Sequence, residues 1–258
     1  MKNILFQTLI YAAAVLSSSA CCHQASAHDG RRLDIQVINN QLFAQGYLSG
    51  FVQGETVNEQ PVREKYNVVH DHFTNIPSGA IGSLPGFDIV DASPLLGSSV
   101  TLELLGVTKW TPPARDPLAA EQMFGVPALE ALSANETLSI GFSTQAGIDS
   151  NSLGSFTLAS DISAPVLDID LNYSLDADPT GSIYAVQWQL ATDNPNIADS
   201  SGVYTLLSPG GMGPDERLHF QSLALEDFLG VTVAAVPEPG PLALLALSIV
   251  PVTLRRRR

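Results

Sequence analysis

Apolar and polar residues alternate at every second position in many short segments of the middle of the chain. This period is typical of β-strands with one buried face. After the Asn39-Asn40 pair the alternation resumes in "QLFAQGYL", so the first two strands are predicted to form a hairpin. The other predicted strands cover residues 100–107, 137–142, 154–160, 167–175, 183–191 and 203–207, after a first strand at 33–38.

Clusters of Gly and Pro separate these segments, for example "NIPSG", "SLPGF" and "SPGGMGPDE". Many short strands with frequent turns predict an all-β chain, folded as an antiparallel β-sandwich or jelly-roll. Helix is predicted only at 117–124 and 218–230, and the second segment could equally end as the strand "GVTVAAV". No repeat or low-complexity linker divides residues 28–235, so they are predicted to form a single domain.

Three strand residues, Tyr184, Val186 and Trp188, share even spacing. Side chains two positions apart on a strand point to the same face. The three are therefore predicted to be buried together. The alternative to burial is a platform that stacks on sugar rings. It would be formed by Tyr184 and Trp188 with Trp110, Tyr47, Tyr173 and Tyr204.

The first 27 residues have the organisation of a secretory signal. Lys2 is followed by an apolar segment at 4–16 and then by small residues. Ala25 and Ala27 form an A-x-A cleavage site, which would make His28 the first mature residue. The expectation is a signal helix that is removed on export.

The two cysteines, Cys21 and Cys22, both lie in this segment. Cleavage after Ala27 would leave a mature chain without thiols or disulfides. An alternative is a lipoprotein signal in which Cys21 is acylated, although Ser18 stands where a leucine is expected.

The C-terminal segment, 236–258, has three parts in order. Pro237, Glu238 and Pro239 come first, an uncharged run at 240–254 follows, and Arg255, Arg256, Arg257 and Arg258 end the chain. A helix over the 15-residue run would extend roughly 22 Å, less than the ~30 Å hydrocarbon core of a membrane. Arginines beside a membrane helix stay in the cytoplasm, so the rest of the chain would lie on the far side.

This arrangement resembles the PEP-CTERM sorting signal of exported proteins in Gram-negative bacteria that produce exopolysaccharide. Pro251 within the apolar run departs from the pattern. The resemblance implies an exosortase-type sorting machinery as partner and a transient inner-membrane intermediate. It also implies a destination at the cell surface or in the extracellular matrix, with exopolysaccharide as a second partner.

The charge of the chain is strongly negative, with 12 Lys and Arg against 26 Asp and Glu and a net charge of −14. Five of the basic residues lie in the two terminal segments, so the middle of the chain is more acidic still. Such a surface repels phosphates, which argues against nucleic acid as a partner.

A candidate metal site centres on His70 and His72. Two residues apart on a strand, they would share a face, which is a common geometry for zinc or copper ligands. His28 and His219 are candidates for a third ligand. An amino-terminal His28 is similar to the histidine brace of copper monooxygenases, which implies a copper oxygenase as one possible function. The alternative is that His70 and His72 are polar residues on the solvent face of a strand.

Calcium is a third candidate cofactor, at the loop containing Asp176 and Asp178, although no complete calcium-binding motif surrounds it. The alternating Asp168 and Asp170 are instead typical of a solvated strand face. The sequence requires no cofactor and contains no recognisable hydrolase motif. The resulting hypothesis is an exported, non-catalytic structural or exopolysaccharide-binding protein, with a metal-binding protein as the alternative.

Overall fold

A computed structural model describes residues 31–48, 56–57, 60–61, 63–113, 126–178, 181–210, 216–231 and 233. The signal segment, the sorting segment and the helix expected at 117–124 lie outside these ranges. The strands are β1 (Arg31–Ile38), β2 (Gln41–Leu48), β3 (Thr56–Val57), β4 (Gln60–Pro61), β5 (Arg63–Tyr66), β6 (Val68–Ile76), β7 (Gly79–Gly82), β8 (Gly86–Ile89), β9 (Val100–Trp110), β10 (Glu130–Ala131), β11 (Leu138–Gly141), β12 (Ile148–Asp149), β13 (Ser155–Ala159), β14 (Val166–Ile169), β15 (Asn172–Leu175), β16 (Ile183–Thr192) and β17 (Val203–Gly210). A 3-10 helix covers Ser93–Leu95, and an α-helix, α1, covers Glu216–Leu229.

The hairpin of β1 and β2 confirms the first prediction. Asn39 and Asn40 both have positive φ, at 53° and 61°, and Ile38 pairs with Gln41 across the turn. Two consecutive residues with positive φ give a two-residue turn whose twist matches that of the flanking strands, and asparagine tolerates this conformation.

Two larger sheets contain most of the strands. A five-stranded sheet has the order β14-β8-β1-β2-β5, and a ten-stranded sheet has the order β10-β9-β16-β17-β6-β7-β15-β11-β12, with β13 paired to β9. The third sheet consists of β3 and β4 alone.

The β-rich prediction is confirmed, but the prediction of purely antiparallel sheets is wrong. The pairs β1–β8 and β6–β17 are parallel. In each case many residues separate the two strands, which gives the long crossover that parallel pairing needs. The sheets are mixed and curled into a half-barrel, and a sandwich or jelly-roll topology is not confirmed.

The strand predicted at 167–175 is two strands in different sheets. Asp168 has φ of +59°, and the register between β14 and β8 shifts between Val166 and Ile169. The chain then leaves the five-stranded sheet and enters the ten-stranded sheet as β15. Alternation alone did not reveal this break, because apolar residues stay in phase on both sides of it.

Both large sheets contribute to one hydrophobic cluster, here called the inner core. The five-stranded sheet provides residues such as Leu33 and Phe87, and the ten-stranded sheet provides residues such as Leu102 and Trp188. Tyr184, Val186 and Trp188 are all fully buried there, as predicted. The inner core thus fixes one face of β16 and β17.

Helix α1 confirms the prediction at 218–230 and packs against β6 and β17. Its Leu225 belongs to a second, smaller hydrophobic cluster, here called the helix seat. The residues of the seat are Val68, Trp110, Ile183, Ala185, Leu206 and Leu225. Of the helices within the described ranges, none combines the length and apolar composition that a membrane crossing needs.

Candidate functional site

His70 and His72 lie on β6 with their rings 5.9 Å apart between centroids, at an interplanar angle of 71°. The prediction that the two side chains share a face is confirmed by this proximity. His70 is fully buried, whereas His72 is exposed. The alternative of two histidines on a solvent face is therefore wrong for His70, because α1 covers that part of the strand.

Glu226 of α1 binds His70 twice. Its Oε1 lies 2.6 Å from the ring Nδ1 and accepts a hydrogen bond of 2.8 Å from the backbone N–H of His70. A hydrogen bond between these two atoms has one proton between them, with the ring nitrogen and the carboxyl oxygen as donor and acceptor. Nη1 of Arg31 lies 3.0 Å from the same ring nitrogen, which brings its positive charge close to the Glu226 carboxylate.

His72 is oriented by the neighbouring parallel strand. Its Nδ1 lies 2.6 Å from Oγ of the buried Ser208, which faces it in the register of β17 and β6. The packed surroundings partly desolvate the ring, and this lowers the pKa of His72; Asp71 opposes the shift and Arg31 adds to it. A neutral imidazole in a fixed orientation can take up a proton or ligate a metal ion.

Ser208 has no solvent exposure. Its hydroxyl therefore positions His72 and is not accessible for attack on an external substrate. The Ser–His contact lies within hydrogen-bonding distance, and the hydroxyl that makes it is buried.

The beginning of β1 lies against the His70–His72 segment. The backbone N–H of Arg31 points to Oδ2 of Asp71 at 3.4 Å, and Oδ1 of Asp71 accepts a 2.7 Å bond from the N–H of His72. His28 is only three residues before Arg31, a length of chain that spans at most about 10 Å. His28 itself lies outside the described residues.

His219 lies in α1 two turns before Glu226, and its side chain is not among those described. Within the described part of the chain, no group of three His, Cys, Asp or Glu side chains is placed to hold a metal ion. A metal site at His70 and His72 would thus need a ligand such as His28 or His219.

Arg32 is the centre of a second polar cluster, which sequence reasoning missed. It is buried, and its Nε and Nη2 contact the two carboxylate oxygens of Asp88 at 2.7 and 3.1 Å, while Nη1 contacts Asp170 at 2.6 Å. Nη2 also donates to the carbonyl of Phe87, and the Tyr47 hydroxyl donates to Asp88. Burial opposes the charge, but the hydrogen bonds outweigh it and leave the pKa of Arg32 raised.

Gly86 makes room for this cluster. A Cβ at that position would lie 2.8 Å from Oδ1 of Asp170 and 3.0 Å from Nη2 of Arg32. The bulge at Asp168 adds a backbone N–H that donates to Asp88 at 2.7 Å. These donors and acceptors are mutually paired, so removal of one partner would leave a buried charge without compensation. The prediction that Asp170 lies on a solvated strand face is wrong, since Asp170 is drawn to Arg32.

A third cluster joins Lys109, Glu136, Ser133 and Tyr184. The Glu136 carboxylate accepts from Nζ of Lys109 at 2.7 Å, from the Tyr184 hydroxyl at 3.0 Å and from both N–H and hydroxyl of Ser133 at 2.7 Å. Burial alone would raise the pKa of Glu136, but these donors outweigh it and lower the pKa to about 2. The glutamate is thus ionised over the physiological range.

The two other candidate sites are weaker. Trp110, Trp188, Tyr173 and Tyr184 are buried, so the aromatic platform for sugars is wrong for these four residues. Their burial follows from the alternation that places them towards the two hydrophobic clusters. In the calcium candidate, Oδ1 of Asp176 accepts a 2.6 Å bond from the N–H of Thr137, which links the loop to the beginning of β11.

Among the described residues, His72 with the adjacent Arg31, His70 and Glu226 forms the cluster that best fits proton uptake or metal ligation. Local sequence signals identified the histidines but not their partners, since 156 residues separate His70 from Glu226. Comparison with protein-family models, with curated proteins and with solved structures finds no match to this chain.

Proposed function

We propose that this chain is an exported protein of the cell surface or extracellular matrix, delivered through a PEP-CTERM signal. Residues 28–235 would act there as a non-catalytic structural or exopolysaccharide-binding unit. The single observation that carries the proposal is the ordered tail, in which Pro237-Glu238-Pro239, an apolar run and Arg255–Arg258 follow one another.

Several features of the described residues support a structural role. The ionic groups of the Arg32 cluster, which are mostly buried, pair with each other, and so do the half-buried ionic groups of the Glu136 cluster. Ser208 is inaccessible beside His72. Both large sheets contribute to the inner core, which supports a sandwich-like packing with two parallel pairs in its sheets. The negative charge would keep such a protein soluble in a hydrated polysaccharide matrix.

Sorting is tested by replacing Arg255–Arg258 with serine. We expect the wild-type protein to be shortened at the tail and found at the surface, and the variant to accumulate unprocessed in the inner membrane, as measured by cell fractionation and intact mass. Pro251→Ala is the matched control, because it alters the same tail but keeps its three-part pattern. Normal surface delivery of the serine variant would remove the sorting proposal.

Binding to polysaccharide is tested separately. The processed protein is mixed with exopolysaccharide isolated from its host and with an unrelated neutral polysaccharide, and the bound fraction is measured by sedimentation. Retention by the host polymer alone supports the binding role. Equal recovery in both supernatants leaves a structural role and rejects binding.

A second candidate function is metal binding, with copper or zinc at His72, His70 and His28. The observation in its favour is that Nδ1 of His70 and Nδ1 of His72 contact the oxygens of Glu226 and Ser208. Metal-ligating histidines usually have their second nitrogen held in this way. The start of β1 at Asp71 would bring a mature His28 within reach.

The test uses processed protein whose amino terminus is confirmed as His28 by mass spectrometry. It is titrated with Cu²⁺ and Zn²⁺ at micromolar concentration, with His72→Ala and a protein carrying one extra residue before His28 as comparisons. Stoichiometric binding that both changes abolish would support the site. Failure of the wild-type protein to bind either metal would reject it.

A further inference from the structure

The five-stranded sheet turns a polar and aromatic side away from the inner core. On β1 every second residue belongs to the inner core, as Leu33 and Ile35 do, so the residues between them point to the opposite side. The strand register places residues of β2 and β5 on that same side. We call this surface the outer face, and it consists of Asp34, Gln36, Phe43, Gln45, Tyr47 and Tyr66.

Three side chains of the outer face are aromatic and half-buried. Phe43 and Tyr66 lie edge to face, with ring centroids 6.2 Å apart and an interplanar angle of 79°. Tyr47 lies four residues after Phe43 on β2, a distance of about 13 Å along the strand, and its hydroxyl donates to Asp88. Partly exposed aromatic rings therefore flank the centre of the outer face.

The centre of the outer face is polar. Nε2 of Gln36 donates to Oδ2 of Asp34 at 2.8 Å and lies 3.4 Å from Oε1 of the buried Gln45, while Oδ1 of Asp34 accepts from the N–H of Val90 at 3.1 Å. Among the described residues Oε1 of Gln36 has no hydrogen-bond partner, and each oxygen of Asp34 accepts one bond although it can accept about two. The centre thus has acceptors left for the donors of a ligand.

The charge of the outer face opposes anions. Burial raises the pKa of Asp34, two hydrogen bonds oppose this shift, and the negative charges of Asp88 and Asp91 add to it. The nearby Arg32 is already paired with two carboxylates. A ligand that brings a further negative charge would be repelled, whereas an uncharged donor would stabilise the carboxylate of Asp34.

Three other kinds of ligand fit this face poorly. Strand addition by a peptide needs an unpaired edge, but β1 and β2 lie inside the sheet with a strand on either side of each. In the described ranges, no three His, Cys, Asp or Glu side chains are placed to hold a metal ion. Nucleic acid is disfavoured by the same negative charge that opposes other anions.

An uncharged sugar chain offers groups that complement the outer face. The C–H faces of sugar rings pack on aromatic side chains, which present a large and rigid apolar surface. Sugar hydroxyls donate and accept hydrogen bonds, so they can donate to the open acceptors of Asp34 and Gln36. Because these hydroxyls carry no charge, the negative charge of the outer face does not oppose them.

We propose that the outer face binds an uncharged segment of polysaccharide, with sugar rings packed on Phe43 and Tyr47 and ring hydroxyls bonded to Asp34 and Gln36. This inference rests on the proposed exopolysaccharide-binding role and names the site for it. The two rings lie about 13 Å apart along β2, so the site is extended. A polymer therefore binds more tightly than a single sugar.

The first experiment measures binding by sedimentation. Exopolysaccharide from the host is separated by anion exchange into an uncharged and an acidic fraction, and each is mixed with the processed protein. We expect the wild-type protein to bind the uncharged fraction and Phe43→Ala to bind it at least about fivefold more weakly. Phe228→Ala removes a 50% exposed aromatic ring from α1, so it is the matched control and should bind as the wild-type protein does.

The polar centre is tested with Gln36→Ala. Loss of its amide should weaken binding to the uncharged fraction by about threefold or more. Gln187→Ala is the matched control, because Gln187 lies between the inner-core residues Val186 and Trp188 on β16 and so points outward from the other large sheet. Equal denaturation midpoints of the variants and the wild-type protein distinguish a lost contact from a damaged fold.

Hydroxyl-radical footprinting read by mass spectrometry locates the site in the unsubstituted protein, so the test does not depend on whether a variant folds. Saturation with the uncharged fraction should lower oxidation of Phe43, Tyr47 and Tyr66 to about half or less, because a bound ligand excludes water from them. Oxidation of Tyr204, a half-buried residue of the ten-stranded sheet, should stay unchanged.

The outcomes separate the site from the function on which it rests. Equal binding by the wild-type protein, Phe43→Ala and Gln36→Ala, or unchanged oxidation of the three rings, overturns the outer face as the site and leaves the binding role in place. Binding to the acidic fraction alone overturns the uncharged ligand. If neither fraction retains the wild-type protein, the proposed binding role itself is rejected.

Discussion

The two faces of β16 and β17 carry different kinds of core. On one face Tyr184, Trp188 and Leu207 join the inner core, which both large sheets build. On the other face Ile183 and Leu206 belong to the helix seat, which among the described side chains has six buried apolar residues and is bordered by His70, Ser208 and Glu226. The same two strands thus hold an extensive apolar contact on one face and, on the other, a smaller apolar contact flanked by buried polar groups.

The two contacts are stabilised in different ways. Apolar burial in the inner core is worth about 25 cal/mol per Å² and needs no particular partner. Polar groups beside the helix seat must first recover the hydrogen bonds that they lose to water. They specify where α1 docks, and their net contribution to the free energy of docking is smaller than the gross strength of their hydrogen bonds. One tryptophan reports on each contact, Trp188 on the inner core and Trp110 on the helix seat.

The largest effect is expected for Trp188→Ala. Trp188 is fully buried and its Nε1 donates to Thr205 at 3.0 Å. Removing the indole leaves a cavity and should lower the free energy of unfolding by about 3–5 kcal/mol. Denaturant unfolding followed by circular dichroism measures this loss.

Leu153→Ala, at an exposed position, is the control and should change stability by less than about 0.5 kcal/mol. Similar losses in the two variants would mean that the inner core is not the main source of stability.

A local effect is expected for Leu225→Ala. The lost contacts of Leu225 with the helix seat should destabilise docking of α1 by about 2 kcal/mol or more. We expect the sheets to remain folded when the helix opens, so the change should be visible in hydrogen exchange of α1 and in the fluorescence of Trp110. Trp188 fluorescence and the exchange of β16 should change little. Simultaneous loss of both tryptophan signals would show that the two contacts unfold together.

Much of the inner core could be predicted from the sequence. Period-two alternation identified β1, β9, β16 and β17, and the even spacing of Tyr184 and Trp188 gave their common buried face. These features depend on neighbours in the chain, so local pattern is sufficient.

The polar contacts could not be predicted in the same way. Arg32 and Asp88 are 56 residues apart, and His70 and Glu226 are 156 apart, so each pair forms only when distant strands or helix and sheet come together. The parallel pairing of β6 and β17, which places Ser208 beside His72, has no local signal either. Residue type and alternation identified His70 and His72 as candidates, whereas their chemistry depends on tertiary contacts.

A smaller, pH-dependent effect is expected for Glu136→Gln. Glu136 attaches the inner-core residue Tyr184 to Lys109, and its pKa falls from 4.5 to about 2 on folding. A carboxyl group with a depressed pKa stabilises the folded state above its unfolded pKa and loses this contribution as pH falls through its folded pKa. The wild-type protein should exceed the variant by about 1.5 kcal/mol at pH 7.

The difference should shrink below pH 4.5 and disappear near pH 2. Denaturation midpoints measured at several pH values, with Glu103→Gln as a control in β9, would follow it. A difference that persists unchanged at pH 2 would contradict the assignment, because it would not depend on the ionised carboxylate of Glu136.

The smallest effect is a gain in stability, and it concerns the contact between α1 and the sheet. Gln221→Met replaces a buried amide, whose Oε1 has no partner, by an unbranched apolar side chain of similar size. Removing an unpaired acceptor should stabilise docking of α1 by about 0.5–1 kcal/mol. Hydrogen exchange of the helix should slow by about two- to fivefold.

Gln189→Met is the matched control and should leave helix exchange unchanged, since Nε2 of Gln189 donates to the Ser200 carbonyl at 3.3 Å. Faster exchange of α1 in Gln221→Met would mean that the amide holds the helix. In that case the polar groups beside the helix seat would themselves stabilise the docking of α1. The helix contact and the inner core would then differ in the kind of interaction, polar against apolar, and not in how strongly they are stabilised.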